Sequence, residues 1–241
     1  MNTEKKKLVV LSGSGISAES GLATFRGSDG LWNNVPVEEI CTARAWRNNP
    51  EKVTAFYNDL RASLQKVEPN EAHLLLAGLQ EEYDVSVITQ NVDNLHERAG
   101  SRSVLHLHGE LTKVRPDDCY TDWDGYSLKH VTDIGYRPIR MGETGGPNSR
   151  QLRPHIVFFG EAVPNLQKAV QIVAQADIMV IIGTSLQVYP AAMLHTYAPS
   201  TCRIYMIDPD EAPSSNVHGV TFINKVATEG MRQLCQMLKK A

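Results

Sequence analysis

Two kinds of residue in this 241-residue chain could do chemistry on a phosphate-bearing ligand: glycines spaced for a backbone cradle, and polar side chains at the ends of apolar runs. The cradle is Gly13-Ser14-Gly15-Ile16-Ser17-Ala18-Glu19-Ser20-Gly21, directly after the apolar residues 8–11. Gly13, Gly15 and Ala18 match the G-x-G-x-x-G/A spacing of a dinucleotide turn, where backbone N–H groups approach a phosphate and the next helix presents its positive end. An ordinary tight turn could carry the same residues, so the weight falls on residues 21–32. A dehydrogenase would continue through its helix into a second strand ending in Asp or Glu about 20 residues past the glycines. Here Gly21 cuts the helix short, and a loop carries Thr24, Phe25, Arg26 and Trp32. An arginine and two aromatics beside a phosphate cradle read as a lid, which makes hydride transfer the poorer chemistry.

The polar group sits downstream. Thr89-Gln90-Asn91-Val92-Asp93 ends one apolar run and His108-Gly109 ends another. A neutral imidazole with a pKa near 6.5 suits proton removal from an activated hydroxyl, so His108 is a candidate general base. A satisfied core histidine is the bland alternative, and His106 shows the contrast two residues earlier. Amide side chains at Gln90 and Asn91 can bond ribose hydroxyls. A polar turn in which Asn91 and Asp93 cap a helix over 94–98 is compatible with that role. Gly183-Thr184-Ser185 and Asp208 end two further runs, where hydroxyls suit phosphate and a carboxylate suits ribose.

The elements that must position these groups are legible as patterns. Apolar runs recur at 8–11, 85–89, 104–107, 156–159, 178–182, 204–207 and 220–223. Between several of them, residues 53–64, 73–79 and 166–174 place apolar side chains three and four apart, as helices do. That alternation predicts an α/β fold with a Rossmann-like, parallel, doubly wound sheet. Such sheets bind ligands off the carboxyl ends of their strands. Gly13, Gln90, His108, Phe159, Gly183 and Asp208 each lie at or past such an end, so one crevice should gather them. The expected organisation is a single catalytic domain with its core at 7–27, 71–111 and 153–241, a helical cofactor-side insertion at 28–70 and a small lobe at 112–152.

Taken together, these motifs resemble the sirtuins, NAD-dependent protein deacylases. The pattern Gly-Ala-Gly-x-Ser-x-x-Ser-Gly-Ile-Pro-x-Phe-Arg is met with Ser14 for Ala and Leu22-Ala23 for Ile-Pro. The runs 89–93, His108-Gly109, Arg153-Pro154-His155-Ile156-Val157-Phe158-Phe159-Gly160-Glu161 and Gly183-Thr184-Ser185-Leu186 come in the family's order. The similarity extends from Leu8 to near the C-terminus.

The resemblance implies NAD as cofactor and the acylated lysine of a protein as substrate. The nicotinamide–ribose bond is cleaved, the acyl oxygen captures the anomeric carbon, and a ribose hydroxyl attacks the resulting alkylimidate with help from a base. Water then releases free lysine, and the acyl group stays on ADP-ribose. Oxocarbenium character in the first step calls for a dry pocket with fixed dipoles. On this reading His108 is the base, Asn91 and Asp93 are catalytic, and Asp93 accepts from the nicotinamide carboxamide. The cofactor set is Gly13, Ser14, Gly15, Ser17, Glu19, Thr24, Phe25, Arg26, Trp32, Gln90, Asn91, Val92, Asp93, Gly183, Thr184, Ser185, Met206, Ile207, Asp208 and Ala227. Arg26 would meet the pyrophosphate and Phe25 would shield the cleaved ribose face. Met206 replaces a usual Asn and Lys225 a usual glycine, so weaker NAD contacts are expected there.

Val157, Phe158, Phe159, Gly160 and Glu161 would take the peptide as an added strand, with one of the phenylalanines in the core. Members that remove succinyl or malonyl groups carry Tyr-x-x-Arg on the inserted helix. Here Tyr57 is followed by Leu60 at the third position and Arg61 at the fourth, on the same broad helix face. Acetyl is the first expectation and an acidic acyl group the alternative. Protein ADP-ribosylation or NAD hydrolysis is a second chemistry open to such a core, and a non-catalytic NAD-sensing module a third reading.

In the family the small lobe holds zinc through two cysteine pairs. Cys119 is the sole thiol of residues 112–152, and one thiolate helped by His130 cannot hold a structural zinc. No metal is expected, and the lobe should be mobile, ordered by packing of Tyr120, Trp123 and Tyr126 or by partner contacts.

Composition sets the outer bounds. A hydrophobic content of 42% with 21% charged residues supports a packed core, and a net charge of −3 gives no basic footprint for nucleic acid. Lys5-Lys6-Lys7 before residues 8–11 imitates a signal peptide, but the run is too short and enters the glycine turn. No stretch approaches the roughly 20 apolar residues of a membrane span. A cytoplasmic monomer is expected. Cys41, Cys119, Cys202 and Cys235 are scattered without a Cys-x-x-Cys, which fits buried, inert thiols.

Overall fold

The computed structural model describes residues 4–24, 36–117, 130–210, 217 and 219–240. The expectations for Phe25, Arg26, Trp32, Cys119, Tyr120, Trp123 and Tyr126 fall outside these residues. The chain enters as β1 (Lys7–Ser12). Leu8 and Val10 face one core, Val9 and Leu11 the other. Successive side chains of a strand point to opposite faces, so an unbroken apolar strand must be covered on both.

After the glycine turn come α1 (Gly15–Ala18), α2 (Val37–Ile40), α3 (Ala43–Asn48), α4 (Pro50–Leu64) and α5 (Glu71–Gly78). Thr42, Asn49 and Asn70 cap α3, α4 and α5 by accepting the Ala45, Lys52 and Ala72 N–H groups, and Pro50 opens α4. The chain continues with β2 (Asp84–Thr89), α6 (Leu95–Arg98), β3 (Val104–His106), β4 (Gly109–Pro116), β5 (Thr132–Asp133), β6 (Thr144–Gly145) and β7 (Arg150–Ile156). It closes with α7 (Leu166–Val173), β8 (Ile178–Ile182), β9 (Arg203–Ile207), β10 (Thr221–Ile223) and α8 (Ala227–Leu238).

Six strands form a parallel sheet in the order β10-β9-β8-β1-β2-β3. From β1 the chain winds outward through β2 and β3, then returns to the other side of β1 and winds out through β8, β9 and β10. The topological switch point therefore lies between β1 and β8, where such sheets open a crevice. Ser12 stands opposite Thr89 on one side and Ile182 on the other, so the three central strands end level.

A second, antiparallel sheet has the order β5-β4-β7-β6. It corrects the reading of 156–159 as a main-sheet strand. Ile156 ends β7 in the small sheet, and Phe159 makes only a single bridge, to Thr42. Behind this wall the buried side chains of Arg115 and Arg153 converge on the buried Glu161 carboxylate at 3.3 and 2.9 Å.

Candidate active site

The turns that end β1 and β8 interlock. Gly13 N–H donates to Ile182 O at 3.0 Å and Gly15 N–H to Gly183 O at 2.9 Å. Gly183 has φ +62, and a Cβ there would lie 2.3 Å from Ile16 N. Only backbone fits between these two turns, which is why both carry glycine. Gly13, Ser14, Gly183, Thr184 and Ser185 line one side of a cleft at the switch point, and Gln90, Asn91, Val92 and His108 line another. Gln90 spans the two sides, donating from Nε2 to Thr184 Oγ1 at 2.9 Å.

Asn91 is held from several directions. Its N–H donates to Thr89 Oγ1 at 3.0 Å, and its Nδ2 donates to Gly13 O at 3.1 Å and Ser17 Oγ at 3.2 Å. Ser17 in turn donates to Asp93 Oδ2 at 3.0 Å, and Asp93 Oδ1 accepts the Leu95 N–H at 3.1 Å. Burial raises the Asp93 carboxyl against those two donors. Ser17 and Asp93 are not among the cleft-lining residues and support Asn91 from behind, and Asp93 also holds the first N–H of α6.

His108 lines the cleft just past β3. Its Nδ1 faces the Gln90 carbonyl at 3.0 Å. A carbonyl only accepts, so that nitrogen carries the proton and Nε2 keeps the lone pair in the neutral ring. Burial pulls the His108 pKa below its ordinary value. The next residue could only be glycine: Gly109 has φ +85, and a Cβ would meet His155 O at 1.9 Å.

The wall opposite the cradle is apolar. Cys41, Tyr57, Ile156, Phe158 and Val163 line it. Phe158 is fully buried against Trp46, Tyr57 and the Arg153 guanidinium, which lies 4.0 Å from its ring centroid. Phe159 is 42% exposed at the mouth. Burial, with the Cys41 thiol alongside, raises the Tyr57 phenol well above its usual value, so it stays neutral.

Several expected site residues lie elsewhere. Arg61 is fully buried, with Nε donating to Leu111 O at 2.5 Å and Nη1 to Asn58 Oδ1 at 2.7 Å, and it does not line the cleft. Glu161 does line the cleft, but its carboxylate is taken up by the two arginines and by the Phe158 N–H at 3.0 Å. Glu19 accepts both the N–H and the hydroxyl of Thr228 in the first turn of α8. Met206 and Ile207 place their side chains in the two cores, and Ala227 packs in one of them. Gly15, Thr24 and Asp208 are also outside the cleft lining; Asp208 sits past β9 and accepts the Asp210 N–H at 2.9 Å. The peptide edge is less open than expected, because the Val157 and Phe159 N–H groups donate to His108 O and Cys41 O.

Cys41, Ile156, Val163, Val188, Tyr189 and Pro190 line the cleft in addition to the expected residues. The signal for the last three is the Val188-Tyr189-Pro190 run so soon after the Gly183 motif. Cys41 is buried, and burial raises the thiols of Cys202, to about 11, and Cys235.

A Sir2 family model matches residues 13–190. An NAD-dependent protein deacylase of Bacteroides thetaiotaomicron is 48% identical over 235 residues, covering 97% of this chain and 98% of that protein. One of Helicobacter pylori is 47% identical over 237 residues, covering 97% of each chain. A solved Sir2 homologue–NAD complex is 37% identical, superposes with a TM-score of 0.82, and is matched over 98% of this chain and 91% of that one. A doubly wound sheet with an antiparallel side sheet, a glycine-interlocked switch point and relatives matched end to end leave one assignment: the chain belongs to the Sir2 family.

Proposed function

We propose that this chain is an NAD-dependent protein-lysine deacylase that passes the acyl group to ADP-ribose and releases nicotinamide. The observation that carries the reading is His108, whose proton is fixed on Nδ1 by Gln90 so that the basic Nε2 is left to a cleft floored by Asn91. NAD, when bound, supplies the ADP-ribosyl group that accepts the acyl chain. The residues fit it: Gly13 brings backbone without a side chain to the switch point, Ser14 lines the cleft beside it, and Gln90, Thr184 and Ser185 offer hydroxyls and an amide. His108 Nε2 takes a proton from a ribose hydroxyl, the pre-set Asn91 amide supplies a fixed dipole, and the apolar wall excludes water.

Among the described lining residues there is no lysine or arginine. A distal carboxylate on the acyl chain would meet no cation there, so acetyl and other neutral acyl groups are the preferred substrates. The small sheet is read as metal-free. Residues 112–152 hold a single thiol, where the family's zinc takes two cysteine pairs. The working form is a cytoplasmic monomer acting on acylated proteins and not on nucleic acid. No helix among the described residues is long and apolar enough to cross a membrane.

The test is mass spectrometry of NAD turnover with acetyl-lysine, succinyl-lysine and unmodified peptides, beside His108→Ala. Acyl-ADP-ribose and free lysine should form with the acetyl peptide and fall by about a hundredfold or more in the variant. NAD loss without an acyl substrate, or ADP-ribose attached to protein, would replace the proposal with hydrolysis or ADP-ribosylation.

A further inference from the structure

We propose that His106 is a positioning residue of this site: a doubly protonated imidazole, paired with Glu97, that latches the Asn91 carbonyl. Its kinetic consequences rest on the deacylase reading, while its protonation does not. His106 ends β3 and is 6% exposed. Its Nδ1 faces Asn91 O at 2.9 Å and its Nε2 faces Glu97 Oε1 at 2.8 Å. A carbonyl and a carboxylate both only accept, so both ring nitrogens must donate and the ring must carry the extra proton. His108 makes the matching contact one carbonyl earlier, from Nδ1 to Gln90 O. Two histidines flanking Leu107 therefore hold the successive carbonyls of Gln90 and Asn91.

The latch is itself anchored. Asn165 Nδ2 donates to His106 O at 2.8 Å, and Leu107 N–H to Thr89 O at 2.9 Å. Rotating the peptide after Asn91 would carry Asn91 with it and break its contacts to Gly13 and Ser17. The two histidines thus divide the labour: one holds a proton to fix the loop, the other stays neutral to take one.

The charges around His106 favour its proton. Glu97 comes from α6 and Glu110 from β4, the latter paired with Lys113 at 2.7 Å; Asp93 lies on the intervening turn. His96 of α6 and His155 of β7 also act on it electrostatically, and burial keeps both neutral. Burial opposes the proton, but the Glu97 bond and charge, the Glu110 charge and the Asn91 carbonyl together outweigh it and hold the His106 pKa above the ordinary histidine value. Activity should then need His108 neutral and His106 charged, giving an acid limb and an alkaline limb. Losing the His106 proton leaves one donor for two acceptors and frees either Asn91 O or Glu97.

The first experiment needs no activity: 15N-histidine NMR of the wild-type protein at pH 7.5 should show both His106 nitrogens protonated and His108 protonated on Nδ1 alone. A neutral His106 at that pH overturns the proposal. The second measures kcat/KM against pH for wild type and Glu97→Gln, which removes the carboxylate from a half-exposed position. The alkaline limb should move toward neutrality with the acid limb unmoved; an alkaline limb that is absent in wild type, or stays put in the folded variant, overturns it. The third compares His106→Asn, whose amide nitrogen lies near the lost Nδ1, with His106→Gln, whose amide reaches toward Glu97. His106→Gln should slow nicotinamide release about tenfold to a hundredfold with peptide KM little changed, and His106→Asn should recover most of it. Equal losses in two variants of equal thermal stability count against the latch. If wild type deacylates no peptide, the deacylase reading fails and the NMR result alone judges the latch.

Discussion

At the scale of single residues, the chemistry turns on which groups hold protons at neutral pH. His108 sits in a buried cleft that lowers its pKa, with the Gln90 carbonyl opposing only in part. The base must be neutral to act, so activity is complete above the His108 pKa and falls as pH drops through it. The acid limb of kcat/KM should therefore have its midpoint below the ordinary value of about 6.5. A midpoint at or above that value would mean the ring is more solvated, or more charge-stabilised, than its surroundings indicate. His108→Ala should lower acyl transfer by about a hundredfold to ten-thousandfold, the usual range for a general base. ADP-ribose affinity, read by calorimetry, should change little, because the proposed phosphate cradle at Gly13, Ser14 and the Gly183 turn lines another side of the cleft. The place of His108 in the cleft was legible in the sequence, as a histidine followed by glycine at a strand end. The role of its neighbour was not, since a core histidine and a charged latch differ only in what α6 brings opposite, and Glu97 is a partner no strand pattern reveals.

At the scale of elements, α4 shows how helical spacing can mislead. Tyr57 and Arg61 are four residues apart, yet Tyr57 lines the cleft while Arg61 reaches the Leu111 carbonyl of β4. The long arginine stem lets its head leave the face that its Cα occupies. Arg61 therefore ties the helical segment to the small sheet. Arg61→Met should leave the acetyl-to-succinyl preference unchanged and cost about 2–3 kcal/mol of stability, the scale of a buried hydrogen bond to a charged donor. Denaturant titration beside the two-peptide assay checks both halves; a changed acyl preference at unchanged stability would return Arg61 to the substrate. The main sheet was readable because most of its strands are Val- and Ile-rich runs buried on both faces, and the glycine turn fixes where the first one ends. The run at 156–159 carries the same composition but crosses from the small sheet to the cleft wall, and a run's composition does not say which sheet it joins. Motif position points Glu19, Met206 and Ile207 at the cofactor but does not show where their side chains pack: Glu19 caps α8, and Met206 and Ile207 fill the two cores.

For the whole molecule, the consequence of packing so many polar groups under one cleft is sensitivity to acid. His73 is fully buried, with Nδ1 3.2 Å from Asn70 Oδ1, and its ring meets that of His96 edge-on at 5.0 Å. His96 Nε2 pairs with Ser12 Oγ at 2.9 Å, which in turn donates to Thr89 Oγ1. Neither imidazole can charge in place: burial lowers His73 to about 4 and His96 well below its ordinary value. Well above pH 6.5 both are neutral in the folded and unfolded chains and cost nothing. As pH falls toward 4, the unfolded chain binds protons that the folded one refuses, so stability is lost. For His73 alone the loss reaches about 2 kcal/mol at pH 5, from about 1.36 kcal/mol per pKa unit. Other groups titrate nearby. Burial pushes Glu161 up toward about 7, which would add stability over part of the same range, though two guanidiniums in contact favour its ionised form. His106, raised by Glu97, changes protonation above 6.5 and contributes a constant amount below it. A comparison of His73→Phe with wild type at two pH values cancels these shared terms. Whatever the variant costs at pH 7.5, the stability difference from wild type should shift in its favour by about 2 kcal/mol at pH 5. Urea titrations at the two pH values measure that shift directly. No shift would mean that His73 charges within the fold, with room or water beside Nε2 that the packing around α5 and α6 does not provide.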